Sequence, residues 1–252
     1  MTEDMAEIAR RCIACLDLTD LTDDCDEAAI DALCARAVTP HGTVAAICIW
    51  PKFVAYARKQ LPADVKIATV VNFPTGAEPA EDVIEMTERA VLDGADEIDM
   101  VIPWQELMEG RAQNVLTRVE RVKRAAGTAK VKAILETGML EDHDLIRKAS
   151  RLALEGGADF IKTSTGKAPV SATLGAAEIM LNVIRDFDRT RGFKPAGGIK
   201  TAQDAANYMQ LAEQILGEGW AIPANFRLGA SSVLDALIAA VEGREAAASE
   251  GY

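Results

Sequence analysis

The sequence predicts a (β/α)8 TIM barrel, and three features carry that expectation. Eight short apolar runs, rich in β-branched residues, recur along the 252 residues. Segments with the period of an amphipathic helix fill the intervals between them. A local repeat, Gly-Ala-Asp-x-Ile, occurs at 94–98 and again at 157–161, each time leading into one of the runs.

The runs are "ACLDLT", "TVAAICIW", "KIATVVNF", "EIDMVIP", "VKAILET", "DFIKTST", "GFKPAGG" and "FRLGASS". They start about 23 to 34 residues apart, which holds a strand, a helix and two short loops. Between them, "EPAEDVIEMTERAVLDG" places Pro79 near a helix start and acids in the first turn. Val83, Thr87, Ala90 and Val91 share a face, and Gly94 stops the helix. "EDHDLIRKASRLALEGG" follows the same plan, with a helix from about Asp142 to Glu155 that ends at Gly156 or Gly157. An extra helix precedes the first strand. A doubly wound sheet is the alternative, but no G-x-G-x-x-G fingerprint or P-loop is present. The whole chain, 1–252, is expected to be a single barrel domain, with 243–252 a flexible C-terminal tail.

Composition narrows the function. Residues that are 49% hydrophobic supply a large core. A net charge of −12 disfavours nucleic acid and anionic membranes as partners. No apolar run reaches the ~18 residues of a membrane span. The N-terminus "MTEDMAEIARR" is not a signal peptide, so a cytoplasmic protein is expected. All five cysteines precede residue 49, with one C-x-x-C at Cys12 and Cys15 and only His41 and His143 as histidines. That set gives no zinc cage, no metal site is expected, and buried core thiols are the simpler reading.

The repeat locates charge inside the barrel. Aligned, it matches Ile98 with Ile161 and Asp99 with Lys162. Strand side chains alternate faces. If Ile98, Met100 and Ile161 face the helices, Asp99 and Lys162 face inward from strands four and six, which share an interior layer. Lys194 enters from strand seven, Asp17 from strand one, and Lys132 and Glu136 from strand five. Interior charges are costly unless paired or used. A buried ion-pair network is the plain structural account. Two lysines on adjacent strands, with acids only scattered, suggest more: each cation and the burial lower the other's affinity for a proton. A lysine pKa of ~10.4 can fall to ~7–8 in such surroundings, and a neutral amine forms a Schiff base with a carbonyl. Lys162 is the candidate nucleophile.

The anion site is expected at the last two loops. Ser231 and Ser232 in "GASS" precede a helix, and Gly197 and Gly198 follow strand seven. Backbone N–H groups there suit phosphate, although "GASS" alone reads equally well as an ordinary cap.

The motifs "LDLT", "AAICIWP", "NFPTG", "GADEIDMVIP", "AILETG", "IRKASRLALEGGADFIKTSTGK", "GFKPAGGIKTAQDA" and "GASSVL" run through nearly the whole chain. In this the sequence resembles the deoxyribose-phosphate aldolases, a class I aldolase family. The resemblance implies reversible, cofactor-free cleavage of 2-deoxy-D-ribose 5-phosphate to acetaldehyde and D-glyceraldehyde 3-phosphate. It implies that Lys162 is the Schiff-base lysine, Lys194 the second lysine that lowers its pKa and relays protons, Asp99 the catalytic acid and Asp17 a supporting acid. By the same resemblance Gly197, Gly198, Ser231 and Ser232 match the phosphate loops, with Thr165 and Lys167 close by. It further implies that Tyr252, the last residue, visits the site to assist proton transfer, and that the chain forms a homodimer. Two other readings stay open: a different Schiff-base aldolase or transaldolase-like barrel, and a barrel that binds sugar phosphates without chemistry.

Overall fold

The structure is a computed structural model that describes residues 4–140 and 142–244. The barrel strands are β1 Leu16–Thr19, β2 Ala46–Ile49, β3 Lys66–Val71, β4 Glu97–Val101, β5 Lys130–Ile134, β6 Phe160–Lys162, β7 Gly192–Lys194 and β8 Leu228–Ala230. They lie in the order β8-β1-β2-β3-β4-β5-β6-β7, every neighbouring pair parallel. Between β7 and β8 the ring closes through bridges Phe193–Phe226 and Ala196–Gly229, with Arg227 N donating to Phe193 O at 3.0 Å. This is the (β/α)8 TIM barrel the sequence predicts.

The main helices are α1 Met5–Ala14, α2 Glu27–Arg36, α3 Val54–Ala57, α4 Ala80–Leu92, α5 Ala112–Ala126, α6 His143–Glu155, α7 Leu174–Phe187, α8 Ala202–Leu216 and α9 Val233–Val241, and two short helices, Trp104–Met108 and Thr137–Leu140, lie in the loops after β4 and β5. Each barrel strand is followed by one of them, from α2 after β1 to α9 after β8. The interval between β2 and β3 is the shortest. It has room only for a 3-10 turn, Pro51–Phe53, and the single turn of α3. The helix signals act as expected. Pro79 precedes α4, which buries Val83, Thr87 and Ala90. Asp142 caps α6, its carboxylate accepting from Asp144 N at 2.6 Å and Leu145 N at 3.3 Å. The extra N-terminal helix, α1, packs against α8 and α9 through Ile8, Ala9, Cys12 and Ile13.

Alternation divides the strand residues between two environments. Ile47, Ile49, Ile98, Met100, Val131, Ala133, Ile161 and Phe193 join the helices in the outer core. Each of these apart from the small Ala133 contributes on the order of 1.5–3 kcal/mol of burial. The inward positions of β2, β3, β4 and β5 form an apolar wall of Cys48, Ala68, Val70, Val101 and Ile134. Seven other inward side chains carry charge: Asp17, Glu97, Asp99, Lys132, Lys162, Lys194 and Arg227. Gly192 leaves space for the Phe160 ring, because a Cβ there would sit 2.2 Å from it.

All five cysteines are free and buried, and burial pushes the Cys15 thiol up to about 12. Among the described residues no group of three His, Cys, Asp or Glu side chains is arranged to hold a metal, and no helix is long and apolar enough to cross a membrane. Most of the anticipated tail, residues 245–252 with Tyr252, lies outside the described residues.

Candidate active site

Lys162 is the last residue of β6, not a mid-strand residue as "DFIKTST" suggested. Thr163 leaves the strand because its hydroxyl takes over the next pairing, accepting from Ala196 N at 3.0 Å. The lysine therefore stands at the C-terminal face of the barrel, where TIM-barrel sites are built.

Its amine meets the residues that alternation placed inward. Lys162 Nζ donates to Asp99 Oδ2 at 2.8 Å. Lys194, in register beside Lys162 on β7, donates to the same oxygen at 2.7 Å and to Asp17 Oδ2 at 2.6 Å. Lys132 lies 2.9 Å from Asp99 Oδ1, 3.2 Å from Asp17 Oδ2 and 2.5 Å from Glu97 Oε2. Arg227 closes the network below, bonding Asp17 Oδ1 at 2.7 Å and forking onto both oxygens of Glu97. All of these side chains are buried. Gly229 keeps the centre open: a Cβ there would lie 3.0 Å from Lys194 Cε and 2.8 Å from Ala196 Cβ.

The acids are thus not scattered, as their sequence positions suggested. Asp17, Glu97 and Asp99 converge on Lys132, Lys162, Lys194 and Arg227. Three carboxylates face four bases, so the buried cluster is neutral only when one base gives up its proton.

The geometry picks out which one. Burial pushes the Lys162 amine down; Asp99 pulls it up and Lys194 pushes it down again, and the result lies below the ordinary lysine value. Burial acts on Lys194 in the same direction, but Asp17 and Asp99 together overcome it and hold that amine above its ordinary value. Here the sequence expectation needs correction, because the two lysines do not depress one another symmetrically. Lys132 is likewise raised by Asp17, Asp99 and Glu97 against burial. Burial raises the Asp99 carboxyl, but Lys132, Lys162 and Lys194 more than offset this and hold it well below the carboxylate range. Asp17 is lowered against burial by Lys132, Lys194 and Arg227. At neutral pH the resting site holds an ionised Asp99, a charged Lys194 and, in Lys162, the base that most readily becomes neutral.

Above Lys162 opens a cleft of about 580 Å³. Thr165, Lys167, Gly197, Gly198, Ser231 and Ser232 all line it. Gly197 and Gly198 have φ of 80° and 79°, a conformation in which glycine is unstrained. Ser232 is the N-cap residue of α9 and makes no side-chain cap bond. Lys167 Nζ lies 3.6 Å from the exposed carboxylate of Asp23.

Two network residues were missed in the sequence, Glu97 and Arg227. Both carry the signal of period two: Glu97 precedes Asp99 by two positions, and Arg227 precedes Gly229 by two. The cleft also recruits Arg36 and Lys200, on α2 and just before α8, which no strand pattern could have found.

A buried amine that gives up its proton more readily than an ordinary lysine, with a second lysine held charged beside it and a polar cleft above, suits an aldolase that works through a Schiff base. Comparison with known proteins agrees. The model of the DeoC/LacD family aldolases matches residues 11–236, and the chain belongs to that family. It is 51% identical over 250 residues to the deoxyribose-phosphate aldolase of Agrobacterium fabrum, a match spanning 98% of this chain and 96% of that one. Among solved structures, it superposes with a TM-score of 0.87 on the apo form of a provisionally named deoxyribose-phosphate aldolase from Toxoplasma gondii ME49. That pair is 27% identical, with 96% and 99% of the two chains covered. A provisionally named deoxyribose-phosphate aldolase from Coccidioides immitis gives a TM-score of 0.78 at 29% identity, with 90% and 85% covered.

Proposed function

We propose that the chain is a class I aldolase that reversibly cleaves 2-deoxy-D-ribose 5-phosphate to acetaldehyde and D-glyceraldehyde 3-phosphate, through a Schiff base on Lys162. The observation that carries this reading is the unequal sharing of acids: Lys162 has one carboxylate partner where Lys194 has two. A lysine in that position gives up its proton first, and a neutral amine is the nucleophile.

In the cleavage direction, Lys162 Nζ attacks C1 of the open-chain aldehyde. The carbinolamine loses water and becomes an iminium, its oxygen leaving with a proton supplied by Lys194. The iminium withdraws electrons from the C2–C3 bond. As the C3 hydroxyl gives up its proton, that bond breaks to yield D-glyceraldehyde 3-phosphate and an enamine. Asp99, ionised at rest, accepts protons and returns them through Lys194 and water. Protonation at C2 and hydrolysis release acetaldehyde and restore the amine. Asp17 holds Lys194 charged. The phosphate sits against Gly197, Gly198, Ser231 and Ser232, with Thr165 and Lys167 beside it, which orients C3 toward the lysine.

The same reading takes the barrel as the single catalytic domain and small molecules as its only substrates, with no cofactor and no metal. It expects a cytoplasmic homodimer, and sedimentation equilibrium tests the dimer. The central test is borohydride reduction in the presence of acetaldehyde, followed by peptide mapping. A two-carbon adduct on Lys162 with loss of activity is expected. An adduct on Lys194, or none, refutes the assignment.

A further inference from the structure

Glu136 stands where its residue type is disfavoured. Its φ is 55°, in the left-handed region that glycine occupies freely and a long side chain does not. Strained positions of this kind persist where the surroundings over-determine them, and they gather at functional sites. The surroundings here are specific. Glu136 O accepts from Met139 N at 2.9 Å and so begins the short helix Thr137–Leu140. Thr137 N donates to Thr163 O at 3.0 Å, just past Lys162. Gly138 lies flat against the chain after β6, where a Cβ would come within 2.1 Å of Val170 O. Segment 136–140 is therefore the backing of the loop that runs from β6 to α7.

The Glu136 side chain reaches through that seam. It is 2% exposed, and both carboxylate oxygens lie 3.3 Å from Thr165 N. Thr165 Oγ1 in turn accepts from Lys167 N at 3.0 Å. Thr165, Gly166 and Lys167 form the cleft wall beside Gly197 and Gly198. A buried carboxylate behind an anion site repels the anion, and left-handed backbone penalises any side chain. Both costs fall at the one position whose side chain fixes Thr165.

We propose that Glu136 is a positioning residue for phosphate recognition, which fixes Thr165, and through it Lys167, at the phosphate end of the cleft without touching the reacting carbonyl. This rests on the aldolase reading above. It separates recognition of the phosphorylated aldehyde from formation of the Schiff base, because Glu136 acts on the loop after Lys162 and not on the amine.

The test uses Glu136→Gly, which deletes the side chain at a backbone angle that glycine prefers, so the fold is retained. The KM for D-glyceraldehyde 3-phosphate should rise about tenfold, the scale of one charge-assisted hydrogen bond. The KM for unphosphorylated D-glyceraldehyde, kcat, and borohydride trapping of acetaldehyde on Lys162 should hold. Glu136→Gln should restore the KM, since its amide oxygen still accepts from Thr165 N. Equal losses with both aldehydes, no loss with either, or failure of the glutamine variant to rescue overturns the proposal. Failure of the unmodified protein to trap acetaldehyde instead overturns the aldolase reading. Calorimetric binding of inorganic phosphate then judges Glu136 by itself: weaker binding in Glu136→Gly supports its role, and unchanged binding ends it.

Discussion

Lys162 and Lys194 point their amines at a single oxygen, Asp99 Oδ2, at 2.8 and 2.7 Å, yet their proton affinities move in opposite directions. The asymmetry comes from Asp17, which bonds Lys194 at 2.6 Å and gives Lys162 no hydrogen bond. In the proposed mechanism, one acid thus sets which amine attacks and which stays charged to deliver protons.

Replacing Lys194 by leucine leaves Asp99 to be shared by fewer cations. Lys162 then holds its proton more tightly, so the activity profile should shift to higher pH. Turnover should fall roughly 10²–10⁴-fold with loss of the proton donor. The site also loses a partner for two buried carboxylates, which costs about 3–5 kcal/mol. Steady-state pH profiles with a denaturation curve check both; near-normal turnover on an unshifted profile refutes the relay.

Asp99→Asn should shift the profile the other way. With its one carboxylate partner among the described residues gone, Lys162 is neutral at lower pH, so the acidic limb should move down while kcat drops roughly 10²–10⁴-fold. If both variants move the profile in the same direction, the shared-oxygen account is wrong.

Stability should fall at acid pH with the sign that Asp17 and Asp99 impose. Their folded pKa values are depressed. The stabilisation they give is present above the unfolded value of ~3.9 and is lost as the pH falls through the folded values. Lys194, raised, contributes fully below ~10.4 and loses that contribution above it. Lys162, depressed, opposes Lys194 by adding stability as the pH rises toward ~10.4. Calorimetric Tm against pH should show a steep acid limb that flattens in Asp17→Asn. An unaltered acid limb in that variant assigns acid lability elsewhere.

Two glycines should separate folding from chemistry. Gly192→Ala drives a Cβ into the Phe160 ring and should cost roughly 1–3 kcal/mol by overpacking. Gly229→Ala meets Ala196 Cβ and Lys194 Cε, so it should reduce kcat more than its loss of stability explains. Urea titration and kinetics on the pair check this; equal effects on activity at equal stability contradict the placement of Lys194.

Tyr252 lies outside the described residues, and its role rests on family resemblance. Tyr252→Phe, or deletion of that residue, should lower turnover and slow enamine proton exchange while leaving Schiff-base formation at Lys162 intact. Deuterium incorporation into acetaldehyde measures the exchange step. Unchanged rates in both assays remove Tyr252 from the mechanism.

The sequence alone determined the architecture and the facing of the key side chains. Eight β-rich runs at regular intervals, Pro79 before α4 and Asp142 capping α6 are local signals, written within a few residues. Period-two alternation put Asp99 and Lys162 on the inner face, and the glycines and serines after β7 and β8 pointed to an anion site. Height within the barrel is a different matter. Which acid meets which base depends on strand tilt and stagger, and these are set by all eight strands together. Asp17 and Lys194 are 177 residues apart, and Arg227 and Asp17 are 210 apart. Only the closed barrel brought Asp17, Glu97 and Asp99 together, gave Lys194 two carboxylates and Lys162 one, and turned Glu136 onto Thr165 with a left-handed backbone. An alternating pattern tells a side chain which way to face. Its proton affinity comes from charges that arrive from distant strands in a dry interior, where Coulomb interactions are strong and each ångström counts.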